Sequence, residues 1–363
     1  MDRKYVLAIN PGSTSTKVSI FEGDKVLKTF KIDHKKEDLD KYERVADQYD
    51  YRLNLIKDWL ESENISTNLL IGVVGRGGLL RSMPGGTYAV TDAMIEDLKV
   101  GIQGEHASNL GGMLARGLVE SEDIPAYIVD PVAVDEFHDI ARISGLKEIP
   151  RKSLVHALNI NAVAHRRAKE TNKNLEDLNL VVAHLGGGIS IAAVEKGKII
   201  DVNNAKEMGP FSPDRAGTLP VGDLVKLCYS GKYAFNKMKI MLHGEGGLFS
   251  YLGTMDGREV EERIKSGDEY AKLIYDAMAY QIGKEIGAYA TVSYGNIDSI
   301  ILTGGLAYSN YLVDRIKGMI DFISEVIVYP GEDEMEALNK GAQRVINGEE
   351  KVKIYEDEVE ING

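Results

Sequence analysis

Tyr5-Val-Leu-Ala-Ile-Asn-Pro-Gly-Ser-Thr-Ser-Thr-Lys-Val-Ser-Ile-Phe-Glu-Gly-Asp24 is the stretch on which the fold turns. It returns as Leu180-Val-Val-Ala-His-Leu-Gly-Gly-Gly-Ile-Ser-Ile-Ala-Ala-Val-Glu-Lys-Gly-Lys198, with Gly12 and Gly23 matching Gly186 and Gly197 at one offset and without a gap. Each copy reads as a strand, a tight glycine turn, a second strand, a Gly hairpin and a third strand. The alternation Val18/Ile20 and Ile191/Ala193 suits half-buried strands, whose side chains leave on opposite faces with period two. The segments downstream of the two copies correspond as well. The first copy is succeeded by a helical stretch over 39–60, a strand over 69–74, a helix over 93–118 and a strand over 126–129. The second is succeeded by helices within 221–242 and over 268–292, a strand over 299–303, a helix after Gly305, a strand over 326–329 and a last helix from Glu332. Strands alternating with helices define an α/β architecture with largely parallel sheets, here two of them. The boundary is expected near Ile149-Pro150. The last helix, whose Gly341-Ala342 permits close approach, is expected back on the first domain, giving domains 1–149 plus 334–363 and 150–333.

Composition narrows the function classes. The chain has 363 residues, 44% hydrophobic and 27% charged with 38 glycines, ordinary for a globular protein of about two domains. Cys228 is the single cysteine, which excludes an intrachain disulfide and any multi-cysteine metal site. Forty-three basic against 56 acidic residues, net −13, argue against a nucleic-acid partner. The longest uncharged apolar stretch, 180–194, contains His184 and falls short of a membrane span, and no signal peptide follows Met1, so a cytoplasmic location without a membrane partner is expected.

The glycine turns point to phosphate. Consecutive backbone N–H groups at Gly186-Gly187-Gly188 can form an anion-binding concavity, and without a Cβ a phosphate can approach the main chain closely. Asn10-Pro-Gly-Ser-Thr-Ser-Thr offers the same turn with hydroxyls added, and Thr303-Gly304-Gly305 ends a strand where a helix opens. Any one of these alone is explained by a tight hairpin; three at strand ends of a duplicated fold favour a nucleotide. Neither GxxxxGK[ST] nor an N-terminal GxGxxG is present, so the binding mode is neither P-loop nor Rossmann.

A two-fold repeat of hairpin phosphate loops resembles the actin, sugar-kinase and chaperone-ATPase superfamily. Most members carry Asp in the first loop; here it is Asn10, in a form that resembles the acetate kinase family. The resemblance extends through Val74-Gly-Arg-Gly-Gly-Leu-Leu, Gly85-Gly-Thr-Tyr, Gly104-Glu-His-Ala-Ser-Asn, Ile128-Val-Asp-Pro-Val, Ala183-His-Leu-Gly-Gly-Gly-Ile-Ser, Leu302-Thr-Gly-Gly-Leu-Ala and Tyr329-Pro-Gly-Glu-Asp-Glu-Met-Glu-Ala-Leu, nearly the whole chain. It implies two duplicated actin-like (ribonuclease H-like) domains with a central cleft. The first would take the acid and the second the nucleotide, and the domains would close over bound ligands to exclude water. The reaction implied is transfer of the ATP γ-phosphoryl group to a short-chain carboxylate, butyrate first, with acetate, propionate or a branched acid as alternatives. A non-metabolic nucleotide-driven module of the actin or chaperone kind is the alternative from another class. A homo-oligomer is implied by the family.

The same resemblance assigns roles. Arg76 and Arg215 match arginines placed around the migrating phosphoryl group, where a permanently charged planar fork is suited to carboxylate or phosphate. His156, read as lying in the first turn of a helix capped by Ser153, matches the histidine that hydrogen-bonds the transferring group; His184 would face phosphate. Asn10, Ser13, Gly186, Gly187, Gly188, Asn203, Gly304 and Gly305 are expected on the nucleotide or its phosphates. Mg2+, entering with ATP or ADP, is expected on Asp130 and Glu334, with Glu332 as the rival to Glu334. Gly78, His106 and Val155 are expected at the acid. Acetate kinases carry valine where this chain has Gly78 and a bulkier residue at Val155, so room for a longer acyl tail is expected; they also carry Asn at the position of Gly187.

Overall fold

A computed structural model describes residues 4–360 and separates the chain into two compact units. The first runs up to Asp135 and resumes at Asp333; the second spans Glu136–Glu332. Ile149-Pro150, where the break was expected, therefore lies inside the second unit.

In the first unit β1 (Tyr5–Pro11), β2 (Ser15–Glu22) and β3 (Lys25–Asp33) form an antiparallel meander. Then β4 (Leu70–Arg76) and β6 (Ala126–Val129) add in parallel, and β5 (Thr87–Ala89) closes the far edge, in the order β3-β2-β1-β4-β6-β5. Val6 to Ile9 are all fully buried, as a central strand covered on both faces requires. At the edge, β3 carries Lys25, Lys28 and Lys31 on a largely exposed strand, a pattern that discourages pairing with another sheet.

The second unit repeats this plan. β7 (Asn179–Leu185), β8 (Ile189–Glu195) and β9 (Lys198–Val202) form the meander, and β10 (Ser299–Gly304) and β11 (Val326–Pro330) add in parallel, in the order β11-β10-β7-β8-β9. Pro11 pairs with Thr16 across the first loop and Leu185 with Ile189 across the second, so the two glycine turns occupy the same place in the two sheets. The duplication read from the first twenty residues extends through five strands of each sheet.

Several boundaries differ from expectation for local reasons. The stretch 93–118 is two helices, Asp92–Val100 and Asn109–Leu118, because Gly101 takes a left-handed conformation (φ +68°) and returns its N–H to Asp97 O at 3.1 Å. The stretch 39–60 contains one long helix, Tyr49–Ser62. The last helix is Glu334–Ile346, and it packs across β1, β4 and β6. A methyl group on Gly341 would come within 2.5 Å of Val129, so this close approach requires glycine.

Candidate active site

Each unit gathers a separate set of the expected groups. In the second, Gly186 to Gly188 join β7 to β8, and the Gly186 N–H closes the turn on Gly188 O at 3.1 Å. The three glycines are not equivalent. A Cβ on Gly188 would lie 2.0 Å from Arg215 Nη1 and 2.5 Å from its Cζ, and one on Gly186 would lie 2.9 Å from Glu332 Oε1; around Gly187 there is nothing within 4 Å. Arg215 thus rests its guanidinium on the loop. Its Nη1 donates to Ala205 O at 2.8 Å, and its Nε lies 3.6 Å from Asp214 Oδ1 without making a hydrogen bond. Burial lowers the Arg215 pKa from its usual value, with Asp214 opposing the shift. Ser212 fastens the arginine's turn to the loop: its hydroxyl donates to Gly187 O and accepts from Arg215 N at 3.2 Å.

His184 and His156 lie against this loop as a stacked pair with ring centroids 4.1 Å apart. His184, buried at the end of β7, meets Asn159 Oδ1 through Nδ1 at 2.8 Å and Glu332 Oε1 through Nε2 at 3.1 Å. His156 Nδ1 meets Ser190 Oγ at 2.9 Å. The helix that begins there is Ala157–Thr171, so Ser153 is not its cap and His156 itself occupies the N-cap position, one residue ahead of the expected first turn. Positive charge of the helix terminus is directed there all the same.

Gly304, at φ +91°, packs on the end of β7, where a Cβ would meet Leu185 O at 2.4 Å, whereas Gly305 is open. Between these loops lies a cavity of about 900 Å3 lined by Gly186, Gly187, Gly305, Leu306, Tyr308 and Tyr275 on one part of its wall. On the other part are Met255, Asp256, Gly257 and Arg258, which no sequence motif announced. Arg258 binds Asp256 through Nη2 at 2.7 Å and Nε at 3.0 Å, which holds the Asp256 carboxyl down at about 2. The volume suits a ligand of nucleoside size.

Asn203 is not available to that ligand. It is fully buried, its Oδ1 accepts from Ile191 N at 2.6 Å and its Nδ2 donates to Ile189 O at 2.8 Å, so the amide clasps β8. Val155 is buried in the same unit.

In the first unit Asn10, Arg76 and Glu334 form one cluster at the ends of β1, β4 and the start of the last helix. Arg76 Nη1 lies 2.6 Å from Glu334 Oε1, and Asn10 Nδ2 donates to Glu334 Oε2. Each Glu334 oxygen thus has one partner, and each keeps a lone pair with which the carboxylate could still meet a cation. In this structure Glu334 also holds the arginine. Glu332, the rival, is the partner of His184. Asp130, buried at the end of β6 with φ +40°, accepts from Gly86 N at 2.8 Å. Its carboxylate is a hard oxygen donor of the kind Mg2+ takes; among the described residues no three His, Cys, Asp or Glu side chains group as a metal cage. Ser13 stands exposed in the first loop. His106 lies just before the helix Asn109–Leu118, its Nδ1 on Ser108 Oγ at 2.8 Å. Gly78 opens no room: a Cβ there would fall 2.4 Å from Asn109 Oδ1 and 2.6 Å from Asn109 Cα, so the missing side chain is replaced by the neighbouring helix.

Two sheets of one plan, each led by a hairpin with a glycine turn, define a duplicated α/β fold shared with solved acetate and propionate kinases. The Acetokinase family profile matches residues 145–355. Over 350 residues the chain is 54% identical to a probable butyrate kinase 2 of Caldanaerobacter subterraneus subsp. tengcongensis, covering 96% of this chain and 99% of that one. The chain belongs to the acetokinase family. Among solved structures, Porphyromonas gingivalis acetate kinase superposes with a TM-score of 0.78 at 19% identity, covering 94% of this chain and 99% of the other. A propionate kinase of Francisella tularensis subsp. tularensis SCHU S4 gives 0.73 at 18% identity, covering 93% and 98%. No helix among the described residues is long and apolar enough to cross a membrane.

Proposed function

We propose that the chain transfers the γ-phosphoryl group of ATP to a short-chain carboxylate, butyrate in preference to acetate, giving an acyl phosphate and ADP reversibly. The observation that carries this reading is the 54% identity over 96% of the chain to a protein named as a probable butyrate kinase. A carboxylate oxygen attacks the γ-phosphorus; the new P–O bond forms as the bond to the β-phosphate oxygen breaks, and ADP leaves with that electron pair. The acid enters ionised, so no proton has to be removed from it. What such a transfer needs is positioning and charge neutralisation.

In the second unit, the N–H groups of Gly186 to Gly188 and the guanidinium of Arg215 are suited to phosphate oxygens, His156 to a hydrogen bond with the transferring group, and the cavity beside Gly305 to the nucleoside. In the first unit, Arg76, oriented by Glu334 and Asn10, is suited to the acid's carboxylate or the arriving phosphoryl group. Mg2+ carried in with ATP would neutralise charge on the phosphate oxygens, with Asp130 as the carboxylate suited to hold it. A cytoplasmic homo-oligomer is the setting this reading implies.

Acyl phosphate formed from ATP and each acid from acetate to hexanoate, trapped with hydroxylamine, tests the proposal. Two additional buried methylenes, at about 0.8 kcal/mol each, should favour butyrate over acetate by about tenfold in kcat/KM. Absence of hydroxamate with every acid would refute the reaction, and acetate equal to or better than butyrate would refute the acid assigned.

A further inference from the structure

Beneath the first glycine turn lies a charge that no motif announced. Arg52, on the helix Tyr49–Ser62, is 1% exposed. Its Nη1 donates to Gly12 O at 2.8 Å, to Thr16 Oγ1 at 3.1 Å and to Ser15 O at 3.4 Å, and its Nη2 to Ser13 O at 3.4 Å. The remaining face of the fork grips Gln48 Oε1, from Nη2 at 2.8 Å and Nε at 3.1 Å. Among the described residues no carboxylate pairs with it. A buried guanidinium is normally matched by an anion, because removing an ion from water costs several kcal/mol that hydrogen bonds to neutral groups recover only in part. Here the groove that would accommodate a carboxylate holds the isosteric amide of Gln48. The neighbouring titratable group adds no second charge: His34, bonded to Thr16 Oγ1 through Nε2 at 2.8 Å, is lowered to about 4 by burial and by Arg52 itself.

The contacts also set the direction of the loop's peptides. In a trans peptide the C=O and N–H point opposite ways. Drawing the carbonyls of Gly12 and Ser13 inward to Arg52 turns the N–H groups of Ser13 and Thr14 outward, on two exposed residues whose amides bond to no other described residue. Two outward N–H groups above a buried, unneutralised cation make an anion site. We propose that Arg52 is a positioning residue for phosphoryl transfer: it fixes the Asn10–Thr16 turn and supplies, from beneath, the positive charge that the phosphoryl group neutralises, and Gln48 is an amide so that this charge stays available. The inference rests on the transfer reading above, in that this loop faces the phosphoryl group.

Gln48→Glu is the deciding variant, since it keeps the fork's geometry and cancels its charge. A purely structural Arg52 would be better satisfied by it, with kinetics unchanged. The expected result is a thermal midpoint equal to or above wild type, kcat for butyrate-dependent hydroxamate formation reduced about tenfold or more, and KM for ATP within about threefold, because the charge matters most where phosphoryl charge develops. Arg52→Lys, which retains the charge and loses the fork, should keep more of kcat than Arg52→Met if both fold. A folded Gln48→Glu protein with kcat within twofold of wild type would overturn the proposal while leaving the transfer reading intact. If wild type itself yields no acyl phosphate, the transfer reading fails separately. The rise in midpoint produced by inorganic phosphate then decides: a rise at least halved in Gln48→Glu supports Arg52's role, and an equal rise overturns it.

Discussion

Gly188→Ala tests the contact between the second glycine turn and Arg215 at the resolution of one methyl group. The new Cβ would stand 2.0 Å from Nη1, 2.5 Å from Cζ and 3.0 Å from Nη2, so the guanidinium must withdraw by more than about 1 Å before ordinary contact is restored. It would lose the bond to Ala205 O on the way, a cost of about 1 kcal/mol to folding that leaves the protein intact. A displacement of about 1 Å in a group that stabilises a transition state costs up to about 10²-fold, comparable with the 10²-fold or more expected for Arg215→Ala. Gly187→Ala is the internal control. Its Cβ meets nothing within 4 Å, and kcat should stay within about twofold. The Gly188→Ala/Arg215→Ala double variant should be no slower than Arg215→Ala, because the methyl then occupies vacated space. Steady-state kcat by hydroxamate trapping, with thermal midpoints to confirm folding, measures all four. Gly188→Ala within threefold of wild type, or losses that add in the double variant, would refute the reasoning.

Three other outcomes rest on particular contacts. Gly78→Val should destabilise the first unit by about 1–3 kcal/mol or more by forcing Asn109 aside, without moving acid preference toward acetate; denaturation and an acetate/butyrate kcat/KM ratio check both halves. Asn203→Ala should cost about 2–4 kcal/mol by orphaning buried groups of β8, with KM for ATP unchanged in the folded protein, whereas a nucleotide contact would raise KM. His34 has its pKa lowered from 6.5 to about 4, so the unfolded chain binds a proton that the folded one refuses; its contribution to stability is complete above pH 6.5 and is lost as pH falls toward 4. In urea titrations at pH 7 and pH 5, His34→Gln should show a smaller loss of stability between the two than wild type, and an equal loss would exclude His34 as the source.

The sequence made the meanders legible because a period of two, interrupted by glycine at matching places, is a strong local signal. Arg76, Arg215 and the glycine turns were found through motifs that lie on those strand ends. β5 was missed because three residues, Thr87–Ala89, are too few to display a period, and they are held by β6 and by Lys353 from far along the chain. Asn203 was misjudged because an amide that clasps a strand and one that binds a ligand look alike in sequence. Arg52 did leave a trace. With Ile56, Trp59 and Leu60 it occupies the i, i+4, i+7, i+8 stripe of its helix, a charged residue on the face that packs inward. Met255 to Arg258 left none, since a cavity wall assembled from a loop and a helix start has no spacing of its own.

The helix Glu334–Ile346 has a consequence for biosynthesis. It covers β1, β4 and β6 and brings Glu334 to Arg76, yet the ribosome makes it only after the whole run Glu136–Glu332. The unit at the amino terminus must therefore wait, with one face of its sheet uncovered, while the unbroken run Glu136–Glu332 emerges and can fold to completion. A nascent chain released before Asp333 would carry a second unit able to fold and an open first one, with exposed apolar strands for chaperones and proteases to recognise.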